Sequence, residues 1–456
     1  MTGFRRHVAW SWALVVAIAC LIAGSGGHAG ARHASAQITR FSTERGVRVV
    51  LRQEPDSPIV AVAIAVRTLQ AENWAAPGIG GVVASALFGS NSNLSREGVA
   101  RTLAFVGGGF RSEWNGECAT VTCITTPTMF SDTMWIVGQA LKNADMDVET
   151  AAEALRNLSA LRAREASDPT AIGAEAARAR LFPGHPYGRS ALGTPDTVRR
   201  IPRQNLLDYY RLAYTPENTV IAVCGNLDAD RVRRTIASHL VDYESRAPAR
   251  LARRPPPDLP EAPGAVRVTA STQAATAAVL AAYRTPGYAS PDYPALRVLT
   301  TLIGGGKGSR LFRSVRDARG IGYSVGADLQ AFAEAGVLYA FAEVAPRGND
   351  PTYLDTVEQL VVNAAEGVLS NPPSDAEVER ARRLSIGLHR EERQRSADRA
   401  LALARAELLA GNWQAEDDLP RRMAAVTASD LMETARKVLA NRCVVRVVPT
   451  RRAPSP

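Results

Sequence analysis

The chain has 456 residues, 46% of them hydrophobic and 22% charged, with a formal net charge of +9. Such a length suggests two or more domains, with cores large enough to hold without disulfide staples. The positive excess is almost all arginine, the lysines being Lys142, Lys307 and Lys437, and it is dispersed among acids with no aromatic interleaving. That pattern argues against a nucleic-acid partner.

Residues 1–36 read as a secretory signal. Arg5 and Arg6 precede an apolar run from Trp12 to Gly24, and Ala34-Ser35-Ala36 offers a small-residue cleavage site before Gln37. The run is short for a membrane anchor and ends in Gly- and Ala-rich sequence. Cys20 lies within it, followed by Leu21-Ile22-Ala23, which disfavours a lipid-bearing cysteine. The expectation is an exported protein, periplasmic or extracellular, with no later segment able to span a bilayer as a helix.

The first half then opens with a strand, Val60 to Arg67, a turn and a helix from Ile79 to Phe88. An alternating strand pair follows in GFRSEWNGECATVTCITT from Gly109. Helical patterns cover Thr133 to Lys142 and Val148 to Ala166, then Asn205 to Leu212, before a last strand at Val220 to Val223. Of the four cysteines beyond the signal, Cys118 and Cys123 lie an odd number of residues apart on one alternating strand, so they face opposite ways and do not pair locally. Buried free thiols are expected at these two, Cys224 and Cys443, with export leaving a long-range disulfide open.

Ser245 to Gly264, SRAPARLARRPPPDLPEAPG, breaks the pattern. Its prolines deny it helix and ladder hydrogen bonds, and it reads as an extended linker. Beyond it the first half repeats. A strand at Ala277 to Arg284 leads to a helix at Tyr293 to Ile303, a strand pair from Gly322, and helices at Tyr353 to Leu369 and Asp375 to Arg393, with Ser374-Asp375 as an N-cap. Ala428 to Leu439 and a strand at Cys443 to Val448 close it. The predicted class is α+β: two repeated domains, 37–244 and 265–450, each a mostly antiparallel sheet packed with helices, joined through 245–264.

Several segments in this order resemble the M16 (insulinase, pitrilysin and mitochondrial-processing-peptidase-like) family along nearly all the chain after the signal. They are His185-Pro186-Tyr187-Gly188 with Leu192-Gly193-Thr194; Tyr214-Thr215-Pro216-Glu217-Asn218 before a strand; and Gly304-Gly305-Gly306, Ser309-Arg310-Leu311-Phe312, Arg316-Asp317 and Gly320-Ile321-Gly322-Tyr323. The resemblance implies the LuxS/MPP-like metallohydrolase fold. It also implies a zinc motif, H-x-x-E-H on a helix with a distal glutamate about 75 residues on, in which two histidines one turn apart reach one metal and the glutamate beside them activates its water.

Here that motif is missing. The histidine positions fall on Gly81 and Ser85, the base on Ala84, and the distal glutamate on or near Leu161. None can hold zinc strongly or act as a base. The histidines beyond the signal, His185, His239 and His389, are far apart; His185 reads as structural and the other two as solvent-facing or packed. No G-x-S-x-G elbow or acid–histidine–nucleophile set supports serine or cysteine catalysis.

What the resemblance retains is in the second half. Arg316 and Tyr323 match an Arg and Tyr that bind substrate in relatives, where a phenol can donate to a developing oxyanion and a guanidinium to main-chain carbonyls. Gly304, Gly305 and Gly306 resemble the glycine-rich loop of the non-catalytic processing-peptidase subunit; a helix C-cap and tight turn is the plainer reading of the same residues. The resemblance therefore implies a catalytically inactive subunit with no cofactor of its own, which binds an extended peptide and completes the site of a zinc-bearing M16 homologue. A scaffold with no role in hydrolysis, or a peptide-binding homodimer, are the alternatives.

Overall fold

Strands that run apolar on both faces need cover on both, and the central strands of this protein are of that kind. The computed structural model describes residues 37–107, 109–248, 258–346 and 351–450. The expected signal at 1–36, with Cys20, lies outside the described residues, as do 249–257 of the expected linker.

The first sheet has six strands: β1 (Ile38–Ser42), β2 (Arg48–Gln53), β3 (Val60–Arg67), β4 (Arg111–Trp114), β5 (Cys118–Thr125) and β6 (Thr219–Gly225), in the order β1-β2-β6-β3-β5-β4. The second has β7 (Val266–Thr272), β8 (Ala277–Pro286), β9 (Ser324–Ala331), β10 (Ala335–Val344) and β11 (Arg442–Pro449), in the order β7-β11-β8-β10-β9. Without β1 the two orders are the same. Each sheet is antiparallel apart from one pair, β2 with β6 and β7 with β11. The duplicated α+β reading therefore holds, with a parallel pair in each lobe.

The inner face of β3 carries Val62, Ile64 and Val66 into the larger first core, under the helices Ile79–Ala86, Phe130–Asn143 and Arg203–Ala213. Its other face carries Ala61, Ala63 and Ala65, and these meet Ala400, Leu403, Ala404 and Leu408 of the helix Ser396–Ala410, which belongs to the second half of the chain. The exchange is reciprocal. Ala278, Leu280 and Ala282 of β8 pack on Ala174, Ala177 and Leu181 of the first-half helix Pro169–Leu181. Each half thus lends a helix to the other's sheet, and small residues on both sides let helix and strand backbones approach closely.

Charge pairs mark the same crossing. Arg399 clamps Glu54 through two bonds of 2.8 and 2.9 Å, and Arg40 reaches the buried Glu407 at 2.9 Å. Side-chain caps start two long helices, the one at Ser374 as expected. Ser374 caps Asp375–Glu391 by accepting from the Glu377 N–H, and Asp147 caps Val148–Glu165 through the Thr150 N–H. The four cysteines among the described residues are free and buried; Cys118 faces the lent helix and Cys123 the inner core, opposite ways as their spacing requires.

Candidate functional site

The helix that would bear the zinc motif, Ile79–Ala86, starts from Gly78 in the left-handed region (φ 93°) and packs against Val148–Glu165. Gly81, Ala84 and Ser85 all lie on it. A Cβ built on Gly81 would stand 2.9 Å from Cδ1 of Leu158 and 3.5 Å from the Ala191 carbonyl oxygen. Leu158 therefore fills the space a histidine would need. Ala84 is buried, its carbonyl accepting the Ser112 hydroxyl at 2.7 Å, while Ser85 faces solvent. Leu161, the residue counted to the distal position, is 45% exposed; the side chain that faces Gly81 is Leu158, three residues earlier. Residues with one neutral hydroxyl among them and a leucine wedged over the first ligand position do not fit a zinc ion.

Behind this helix lies a group that the sequence reading passed over. Glu72 ends the short helix Leu69–Glu72, is 2% exposed, and accepts the Tyr209 hydroxyl. A Cβ on Gly80 would lie 2.6 Å from its Oε1, so the carboxyl backs directly onto the motif helix. Burial pushes Glu72 up to about 8, against the opposing pull of the Tyr209 bond and Arg189. The signal available in sequence was slight: one acid in Leu69-Gln70-Ala71-Glu72, otherwise readable as a solvated helix start.

The three histidines beyond the signal occupy separate surroundings. His185 is buried and accepts the Tyr187 N–H at Nδ1 (3.1 Å), bracing the His185-Pro186-Tyr187-Gly188 turn. His239 meets the Ser131 hydroxyl at 3.1 Å. His389 is buried 3.6 Å from Glu416, its affinity for a proton lowered to a pKa of about 4 by burial and by Arg393. Among the described residues no group of three or more His, Cys, Asp or Glu side chains could hold a metal ion.

In the second lobe the helix Tyr293–Gly304 runs into the triple glycine. A Cβ on Gly304 would come within 2.1 Å of the Ala327 backbone nitrogen in β9, and Gly306 has φ 72°. Close packing and a tight turn account for these glycines, with Gly305 as the helix C-cap. Arg310 then pairs with Glu377 through two bonds of 2.8 and 3.0 Å, tying the loop to Asp375–Glu391. A π-helical turn, Phe312–Asp317, holds Arg316, whose guanidinium donates to the Gly322 carbonyl. The next residue, Tyr323, donates its N–H to the Glu343 carbonyl at 2.8 Å and is 72% exposed. Arg316 and Tyr323 are thus brought together through Gly322, at the start of the edge strand β9. The motif helix and this turn pack on elements of different lobes.

An exposed phenol on a hydrogen-bonded backbone, and a metal position closed by leucine, are the arrangement to compare with known proteins. The family profile described as "Peptidase M16 inactive domain" matches residues 200–385. An uncharacterized zinc protease of Mycobacterium leprae is 31% identical over 352 residues, covering 73% of this chain and 74% of that protein. The chain belongs to the M16 peptidase family. A second relative, an uncharacterized zinc protease of Mycobacterium bovis, is 31% identical over 276 residues; the match spans 60% of this chain and 61% of the relative's length. The crystal structure of a peptidase M16 inactive domain from Pseudomonas fluorescens superposes with a TM-score of 0.80 at 17% identity, covering 92% of this chain and 99% of that one, which is a likeness of fold. The inactive-domain profile covers Gly304–Gly306, Arg316 and Tyr323; this M16 chain lacks a catalytic metal site in its own motif helix.

Proposed function

We propose that this M16 chain is the non-catalytic member of a proteolytic pair. It would bind an extended peptide with its second lobe and complete the active site of a zinc-bearing homologue. The observation that carries this reading is Tyr323: a large aromatic side chain left 72% exposed at the head of an edge strand, while the motif helix of the same chain offers no ligand. Such a phenol presents a fixed O–H donor to an oxyanion formed on a partner's metal.

Arg316 contributes in two ways in this reading. Its bond to the Gly322 carbonyl sets the backbone that carries Tyr323, and its remaining N–H groups face solvent, where main-chain carbonyls of a peptide could reach them. The Gly304–Gly306 segment, packed against Ala327 of β9, would contribute to peptide binding in the same reading. Export through the 1–36 signal belongs to the same proposal and would place the pair outside the cytoplasm.

The test is reconstitution with a homologue that retains H-x-x-E-H. Peptide cleavage by the mixture, and by neither chain alone, is the expected result. Tyr323→Phe should then lower the mixture's kcat about tenfold or more while the complex still co-elutes. Unchanged turnover in that variant would remove the trans-acting role and leave a scaffold; cleavage by this chain alone with bound zinc would overturn the reading entirely.

A further inference from the structure

The tip of the β9–β10 hairpin, Phe332 to Glu334, leaves its own sheet and enters the first lobe. Phe332 is buried flat against Tyr187, ring centroids 4.1 Å apart and planes 7° from parallel, and meets Phe182 edge-on at 6.5 Å. The Ala333 N–H donates to Oε2 of Glu117 at 2.9 Å, and the Tyr187 hydroxyl donates to Oε1 of the same carboxyl at 2.8 Å. Glu117 sits just before β5 and is 1% exposed. One buried carboxyl therefore takes a donor from each lobe.

The charged and titratable groups around it are few. Arg67 at the end of β3 stands 3.7 Å from Glu117 and 3.5 Å from Glu334 of the tip. Arg405, on the helix Ser396–Ala410, acts on it through its field, and Cys118 follows it in the chain. His185 lies behind Tyr187, ring centroids 4.4 Å apart. Without a cation in hydrogen-bond contact, the carboxyl is both the acceptor that seats the tip and a charge that burial disfavours.

We propose that the Phe332–Glu334 tip is a releasable plug whose seating on Glu117 makes the seam between the lobes respond to pH. Burial holds the seated Glu117 above the ordinary carboxylate range, in spite of the Tyr187 and Ala333 bonds and of Arg67. Released, the carboxyl is hydrated and binds its proton more weakly. Linkage then favours the seated tip at low pH and the released tip as pH rises through the seated value. β9 runs from Ser324, beside Tyr323, to Ala331, beside the plug, so release loosens the strand that Tyr323 heads. The inference needs only this chain and stands apart from the peptide-binding reading.

Amide hydrogen exchange on the full chain tests it, with protection expressed relative to intrinsic exchange at each pH. Between about pH 5 and about pH 8, protection of the Ala333 amide should fall about tenfold or more while that of Leu338–Ala340 in β10 holds. Glu117→Gln, which keeps an acceptor but carries no charge, should make Ala333 protection independent of pH. Should that variant not fold, Tyr187→Phe removes one donor to the carboxylate and should move the fall to higher pH. Flat protection in the wild type, an equal fall in β10, or a fall unmoved by Tyr187→Phe overturns the proposal.

Discussion

Glu72 shows how one residue can tie stability to pH. A carboxyl buried beside Tyr209 prefers its proton, and its value of about 8 compares with an ordinary 4.5. The folded state therefore holds the proton more tightly than the unfolded chain. The stabilisation is full below about pH 4.5 and is lost as pH rises through about 8, on the order of 5 kcal/mol at most. Denaturant titrations at the two ends of that window should show the fall, and Glu72→Gln should abolish most of it. Equal pH dependence in wild type and variant would mean that Glu72 is hydrated in solution. Leu158 makes the same point about space: a single apolar side chain over Gly81 decides that the motif helix has no room for a ligand.

At the scale of elements, the motif helix can be tested by rebuilding it. Gly81→His with Ala84→Glu and Ser85→His restores the letters of the motif, yet a Cβ at 81 meets Leu158, and such overpacking costs about 1–3 kcal/mol. Calorimetric titration should find no stoichiometric zinc in the triple variant. Adding Leu158→Glu supplies a carboxylate from the residue that faces Gly81, and this fourfold variant is expected to bind zinc; Leu161→Glu in its place is not. The reverse outcome would put the distal position at 161. The elements themselves were largely legible. Alternation marked the strand pairs β4–β5 and β9–β10, apolar runs marked β3 and β8, and Ser374 announced its helix, because side-chain pattern and capping are local matters. Counting along the chain is less secure. Leu158 and Leu161 lie one turn apart on nearly the same helix face, and only packing separates the buried leucine from the exposed one.

For the whole molecule, the exchanged helices matter most. Ala404 is fully buried on the helix that the second half lays over β3 and β6. Ala404→Leu should cost about 1–3 kcal/mol, since packed backbones leave no room for three more carbons. Because each sheet is covered by a helix from the other half, the loss should appear as one lowered cooperative transition in calorimetry and in probes from both lobes. Separate transitions would show the lobes to be independent. The single Glu117 carboxyl that joins Tyr187 to Ala333 belongs to this scale too, its partners lying 70 and 216 residues away.

The sequence alone determined the duplicated α+β plan, the family resemblance and the missing ligands, since side-chain period and residue chemistry are written one position at a time. Tertiary structure alone decided which helix covers which sheet, that Leu158 occupies the ligand space, that Arg316 is bound to the carbonyl beside Tyr323, and that Glu72 and Glu117 are buried. These depend on contacts between residues distant in the chain. The energy of a buried charge or an overfilled cavity is a property of what surrounds it.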